Sequence, residues 1–191
     1  MCPYPKLQNS GDLKYLKGLF DNFIEMSREN IDLFEANRII NELESEESRK
    51  EVEVSKILKD VYKEYKCLAS RRGIEIRYNL SRHKVLGGSL LKELFSHIIE
   101  NAIIHSEGKL VRIKNCECVY GMKVIIEDDG RGIPRFKREK IFEKFWSGKG
   151  EIGSGLGLYL SKLIVESYGG NIEIKSSSLG GAKFEVKLET P

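Results

Sequence analysis

Glu127-Asp128-Asp129-Gly130-Arg131-Gly132-Ile133-Pro134, followed after an aromatic-bearing segment by Gly153-Ser154-Gly155-Leu156-Gly157-Leu158, decides how this chain is read. The first run puts a carboxylate at the end of an apolar strand and then breaks the chain with glycines. The second sets three alternate glycines ahead of an apolar helix. A carboxylate fixed at a strand end can accept a hydrogen bond from the exocyclic amine of a purine. Glycines just before a helix let backbone N–H groups approach phosphates. The two runs together point to a nucleotide pocket.

Met122–Asp128 alternates, so Val124, Ile126 and Asp128 share one face. Asp128 is therefore expected at the rim of the core, where a carboxylate without a partner is costly. A ligand amine or an ordered water would satisfy it. An Asp capping the following turn is the competing reading, because Asp-Gly is itself a turn signal. The Gly153-x-Gly155-x-Gly157 run also has an ordinary reading, a helix start with close packing. It lacks the Lys-Ser/Thr of a P-loop and does not follow a first strand as a dinucleotide-binding fingerprint does.

Around these runs the pattern is mixed α/β. Ile74–Leu80, Leu110–Cys118, Met122–Asp128, Asn171–Lys175 and Ala182–Leu188 read as strands, with a turn at Tyr120-Gly121. Leu90–His105 and Ser154–Tyr168 read as helices, the second closed by Gly169-Gly170. On Leu90–His105, the residues Glu93, His97, Asn101 and His105 fall four apart and form one polar stripe. A solvated face explains such a stripe. So does a ligand role, since a carboxamide oxygen suits Mg²⁺, a cation that keeps waters and shares nucleotide phosphates.

The first third differs. From Asp12 to Glu47 the only glycine is Gly18 and there is no proline, and apolar residues recur at helical spacing: Leu16, Leu19, Phe20, Phe23, then Ile31, Phe34, Ile39, Ile40 and Leu43. A long amphipathic helix broken near Asn30 is expected, serving either as a packing element or as a dimerisation helix. A second helix is expected from Ser55, as N-cap, to a stop at Gly73.

At 191 residues, with 32 basic and 29 acidic side chains, the chain can bury a core and gives no charge-based reason to expect nucleic acid as a partner. No apolar run has the length of a membrane span, and the N-terminus lacks a signal-peptide pattern. Cys2, Cys67, Cys116 and Cys118 read as reduced cytosolic thiols.

In order and spacing, these motifs resemble the ATP-binding catalytic domain of sensor histidine kinases, within the Bergerat-fold ATPases that include DNA gyrase. Ile98-Ile99-Glu100-Asn101-Ala102 with His105-Ser106 is similar to the N box, and Asp128 to Pro134 to the G1 box. Ile141-Phe142-Glu143-Lys144-Phe145 is similar to the F box, and Gly153 to Leu158 to the G2 box. Val165 to Ile172 and Gly181-Ala182-Lys183-Phe184 match as well, and the likeness spans residues 52–190.

The resemblance implies a two-layer α/β sandwich, a mixed β-sheet with helices on one face, preceded by a long helical segment. Residues 1–50 would be part of a dimerisation hairpin and residues 51–191 the catalytic domain. It also implies ATP and Mg²⁺ as cofactors. Asn101 would ligate Mg²⁺, and Asp128 would accept from the adenine amino group. Gly130, Gly132 and Ile133 would lie against the nucleotide, with His105 near its phosphates. Gly153, Gly155, Leu156 and Gly157 would line the triphosphate. Phe142 and Phe145 would anchor a lid from Trp146 to Ile152, and Lys140 would stand near the γ-phosphate.

Three departures from the family pattern stand out. His97 occupies a position where the family often has Asn, and it is read as a catalytic candidate beside a structural reading. Ile104 stands where a phosphate-contacting Lys is common. The histidines His83, His97 and His105 all lack the Glu or Asp and the Pro that surround a phosphoacceptor. The expected activity is therefore protein histidine kinase, donating to a histidine carried in trans or on a segment upstream. A response regulator receiver is the expected next partner, with a homodimer through the N-terminal helix. The expected location is cytoplasmic, within a parent protein that can be membrane-tethered. The alternatives are a non-catalytic nucleotide-gated module and an anti-sigma-type serine kinase.

Overall fold

The period-2 stretches of the C-terminal two thirds pair into one mixed sheet whose inner face explains their alternation. In the computed structural model, residues 30–43, 49–119, 121–146 and 154–191 are described. The expectations for the helix before Asn30, for Tyr120, for Gly153 and for the lid beyond Trp146 lie outside those residues.

In chain order the elements are helix α1 (residues 30–43), β1 (Lys50–Glu53), α2 (Val54–Arg71), β2 (Glu75–Asn79), β3 (Lys84–Gly87) and α3 (Leu91–His105). They continue with β4 (Leu110–Cys118), β5 (Gly121–Asp128), two short 3-10 turns at Arg135–Lys137 and Lys140–Phe142, α4 (Gly157–Ser167), β6 (Asn171–Ser176) and β7 (Ala182–Leu188). The five-stranded sheet has the order β2-β4-β5-β7-β6. β2 runs parallel to β4, and the other pairs are antiparallel.

Register assigns the two faces. Val111 pairs with Asp128 and Ile113 with Ile126, while Ile126 also pairs with Phe184 and Val124 with Val186. These side chains are buried under α3 and α4 together with Leu94, Phe95, Ile98, Ile99, Leu160 and Ile164. The apolar stripe of each helix meets the apolar face of the sheet, which is the two-layer solution. The opposite face carries an ion-pair lattice instead. Glu127 accepts from Arg112 at 2.9 Å and sits 3.2 Å from Lys114. Glu185 lies 2.7 Å from Lys175 and 3.0 Å from Lys183. Burial raises the Glu185 carboxyl, but these lysines outweigh it and hold the group down at about 2.

Three details differ from the sequence expectations. Helix α2 starts at Val54, and Ser55 is its second residue, not its cap; Ser55 Oγ donates to Glu53 Oε1 at 2.7 Å. The reason is a strand that periodicity missed: β1 pairs with β3 up to Glu53, so the helix begins directly where the ladder ends. Both strands are four residues long and charged at the edge, too short for alternation to register. Helix α4 starts at Gly157 and not at Ser154, because Gly155 adopts φ +68. There a Cβ would sit 2.4 Å from the Trp146 carbonyl, so the chain must turn tightly past Trp146 before it can coil. The stop after α2 agrees with expectation, with Gly73 at φ +70.

Helix α1 docks on the domain. Ile39 is fully buried and Ala36 nearly so, while Arg38 bonds Glu93 of α3 at 2.9 Å and Glu42 is hydrogen-bonded to Ser89. Ile31, Leu33 and Phe34 of the same helix remain exposed. Among the described residues, no helix is long and apolar enough to cross a membrane.

Candidate functional site

Asp128 closes β5 on its inner face, where the alternation Met122, Val124, Ile126 delivers it into a cavity of about 270 Å³. Its side chain is almost wholly buried. Oδ1 accepts from the backbone N–H of Gly130 at 2.9 Å and of Ala182 at 3.2 Å. Among the described residues nothing donates to the other oxygen, which is the acceptor available to the cavity. Burial raises the carboxyl above its ordinary value, and the two N–H donors only partly offset this. The neighbouring Asp129 does different work. Its Oδ1 accepts from Lys109 and Leu110 at 2.7 and 2.8 Å, pinning the loop between α3 and β4. The turn-capping reading of the Asp-Gly run is met by Asp128 itself, whose Oδ1 accepts from Gly130 two residues on.

Glycine is required at two places around Asp128. At Gly181 a Cβ would lie 2.0 Å from Asp128 Oδ1, and at Gly130 a Cβ would lie 1.9 Å from the Ser106 carbonyl. The two loops and the end of α3 therefore close on the carboxylate with no room for a side chain.

The last turns of α3 form a second wall. Asn101, Ala102, His105 and Ser106 line the cavity. Asn101 Nδ2 donates to the His97 carbonyl at 2.7 Å, and among the described residues nothing donates to its carboxamide oxygen. That oxygen suits a hard cation. Among the described residues no group of three or more His, Cys, Asp or Glu converges to hold a metal. A divalent ion here would need oxygen ligands from the bound molecule itself, as Mg²⁺ on a nucleotide has. The donor set fits that use.

The remaining lining comes from Arg131, Gly132, Ile133, Pro134 and Lys137 after β5, Ile141 and Trp146 beyond them, Leu158 of α4, and Ala182 and Phe184 of β7. It is an apolar slot with a few convergent polar groups, the usual make-up of a small-molecule site. Arg131 pairs with Glu107 at 3.3 Å at the rim.

Asn101, His105, Asp128, Gly132 and Ile133 line one cavity. Others are placed elsewhere. Phe142 is buried in the core, Phe145 is exposed with φ +61, and Lys140 is exposed; none of the three lines the cavity. Leu156 is buried just ahead of α4. The polar stripe on α3 divides, with Asn101 and His105 facing the cavity, while Glu93 faces α1. His97 lies under the start of α4, where its ring is 3.5 Å from the position of a Gly157 Cβ. Ser161 Oγ donates to the Gly157 carbonyl at 2.9 Å, which leaves the Oγ lone pairs for His97 Nδ1 at 3.4 Å. Ala182, Phe184, Gly181, Lys137 and Leu158 were not singled out as site residues. The alternation of β7 was the available signal for Ala182 and Phe184.

Burial pushes the His97 imidazole down to about 4, with Asp32 opposing the shift and Arg38 adding to it. Its unfolded value is near 6.5, so the folded state prefers the neutral ring. The stability it contributes is complete above about pH 6.5 and is lost as pH falls toward 4, with a slope on the order of 1.4 kcal/mol per pH unit. Urea unfolding between pH 7.5 and 4.5 should show this decline, and His97→Gln should flatten it. An identical decline in the variant would assign the effect to other groups.

A mixed five-stranded sheet packed under helices, with a buried carboxylate at a strand end and a carboxamide on the facing helix, frames the cavity of an α/β domain. The family model described as histidine kinase-, DNA gyrase B- and HSP90-like ATPase matches residues 88–191, more than half of the chain. The chain belongs to that ATPase family. It is 33% identical over 103 residues to the sensor-type histidine kinase PrrB of Mycobacterium tuberculosis, a match covering 53% of this chain and 23% of PrrB. It is 28% identical over 172 residues to the sensor protein SrrB of Staphylococcus aureus, covering 81% of this chain and 30% of SrrB. The chain thus spans less than a third of these relatives. The crystal structure of the ATP-binding domain of Mycobacterium tuberculosis PrrB superposes with a TM-score of 0.63 at 23% identity, covering 76% of this chain and 99% of that one.

Proposed function

We propose that this chain is the Mg-ATP-binding kinase domain of a two-component sensor histidine kinase. In this reading it donates the γ-phosphoryl group to a histidine carried on another segment or chain, and a response regulator receiver follows as the next acceptor. The observation that carries the reading is Asp128, a buried carboxylate whose Oδ1 is saturated by two backbone N–H groups while its other oxygen is left for the cavity. An exocyclic amine is the ligand group that satisfies it, and PrrB, whose ATP-binding domain shares the fold, supports adenine as the base.

Mg-ATP supplies the phosphoryl group, and the protein's share is positioning and charge neutralisation. Asp128 accepts from the adenine amine, and Gly132 and Ile133 allow close approach to the base. The Asn101 carboxamide oxygen ligates Mg²⁺, with His105 beside it. Gly155, Leu156 and Gly157 place backbone around the triphosphate at the start of α4, and the motif gives Gly153 the same role. Phe142 and Phe145 anchor the lid, and Lys140 supplies positive charge at its base. His97, held neutral near pH 7, acts by seating the start of α4 and does not exchange protons. Residues 51–191 form the catalytic unit, residues 1–50 part of a dimerisation hairpin, and the setting is the cytoplasmic side of the parent kinase.

His83, 3.2 Å from a Glu117 carboxylate oxygen, His97 under α4 and His105 in the cavity are all engaged within the domain. The acceptor is therefore sought elsewhere. The test is calorimetry with Mg-ADP and Mg-ATP, followed by transfer of labelled phosphate to an acceptor-bearing domain added in trans. Mg²⁺-dependent binding and an acid-labile phosphohistidine are expected. Acid-stable phosphoserine would instead favour a serine kinase, binding without transfer a nucleotide-gated module, and absence of binding would end the reading.

A further inference from the structure

Among the described residues, few positive charges line the cavity. On α3, the residue one turn beyond Asn101 is Ile104, which brings none. Arg131 is matched by Glu107 at 3.3 Å. Arg138 is turned away, donating to the Ile133 carbonyl at 3.0 Å and to Ser176 Oγ at 2.8 Å. Lys140 is exposed and outside the lining. Lys137 is different. It lines the cavity, it is partly buried, and among the described residues it has no carboxylate within ion-pair distance. Its Nζ instead lies 5.8 Å from the centroid of the Trp146 ring, which lines the same cavity.

We infer that Lys137 is the cation by which this cavity distinguishes a nucleoside polyphosphate from a nucleoside, resting on the Trp146 ring until a phosphate oxygen replaces the ring. This rests on the adenine-nucleotide reading above and adds to it the residue that reads the phosphates. The physical ground is the ranking of partners for an ammonium group. A cation–π contact at a partly exposed ring is a weak hold. A charge-assisted hydrogen bond to a phosphate oxygen in a partly desolvated slot is considerably stronger. A lysine kept beside a ring, with no carboxylate of the described residues within ion-pair distance, makes that exchange without first breaking a pair. Asp128 repels anions at its own end of the cavity, so the phosphates need a counter-charge at some other wall.

The same pairing provides the assay. Trp146 is the chain's one tryptophan, so its emission reports on this wall alone. The full chain and its Lys137→Ala and Lys137→Arg variants are titrated with adenosine and with ADP plus Mg²⁺, followed by Trp146 fluorescence and, independently of the ring, by calorimetry. Lys137→Ala should weaken ADP about tenfold, the scale of one lost charge-assisted contact, and leave adenosine unchanged. Lys137→Arg should restore most of the ADP affinity. Equal weakening of adenosine and ADP would show that Lys137 only props the Trp146 wall, and unchanged ADP affinity would show that it meets no phosphate. Either result overturns the inference while leaving the nucleotide reading intact. Failure of the unsubstituted chain to bind adenosine or ADP overturns both.

Discussion

Asp128→Asn should abolish useful adenine-nucleotide affinity, by about 100-fold or more, while leaving the fold unaltered. Oδ1 of Asp128 is held by Gly130 N and Ala182 N, at 2.9 and 3.2 Å. An Asn keeps an oxygen for those two donors, so the turn and the start of β7 are preserved. Its NH₂ group then takes the place of the free carboxylate oxygen, and a donor faces the adenine amine where an acceptor stood. Losing a hydrogen bond to a charged group and leaving a buried donor facing a donor costs together about 3 kcal/mol. Because a 6-oxopurine offers an acceptor at that position, the variant should also shift preference toward inosine or guanine nucleotides. Calorimetry with ADP, GDP and IDP, beside circular dichroism, measures both effects. Unchanged ADP affinity in a folded variant would remove Asp128 from base recognition.

Gly181→Ala tests the same carboxylate from the other side and should fail differently. A Cβ there would lie 2.0 Å from Asp128 Oδ1, 2.6 Å from the Asp128 carbonyl and 2.6 Å from Gly130 N. Two of those neighbours are backbone atoms in the central strand and its turn, so the methyl group cannot be relieved by a rotamer change. We expect a loss of about 2 kcal/mol in stability, as for overpacking a tight interior, together with loss of nucleotide binding. Chemical denaturation separates the two variants: Asp128→Asn keeps its midpoint, and Gly181→Ala does not. An unchanged midpoint for Gly181→Ala would show that the loop before β7 yields freely and does not fix Asp128.

The contrast between these two residues shows what was legible in the chain. Asp128 could be placed from period-2 alternation alone, because Met122, Val124 and Ile126 set its face. Asn101 and His105 could be placed on one helix face from their spacing. Gly181 could not be ranked this way, since its importance comes from the approach of β7 to β5, two strands far apart in sequence. Lys137 and Trp146 are a similar case, because cavity walls built by 3-10 turns follow no hydrophobic period. His97 marks the limit in the other direction. Spacing put it in line with Asn101, but α4 packs against that part of α3, so the part-buried His97 ring lies against Gly157 and Ser161 and does not line the cavity.

By itself, then, the sequence determined the elements of the sheet, the burial of Asp128 and the order of motifs that defines the family, because each depends on local period or local turn chemistry. Only the tertiary structure decided which oxygen of Asp128 the backbone holds, that the Asn101 amide nitrogen is tied to the His97 carbonyl, and that Lys137, among the described residues, lines the cavity with no carboxylate within ion-pair distance. Those facts depend on which backbone groups and charges lie across the site, and chain-distant packing sets them.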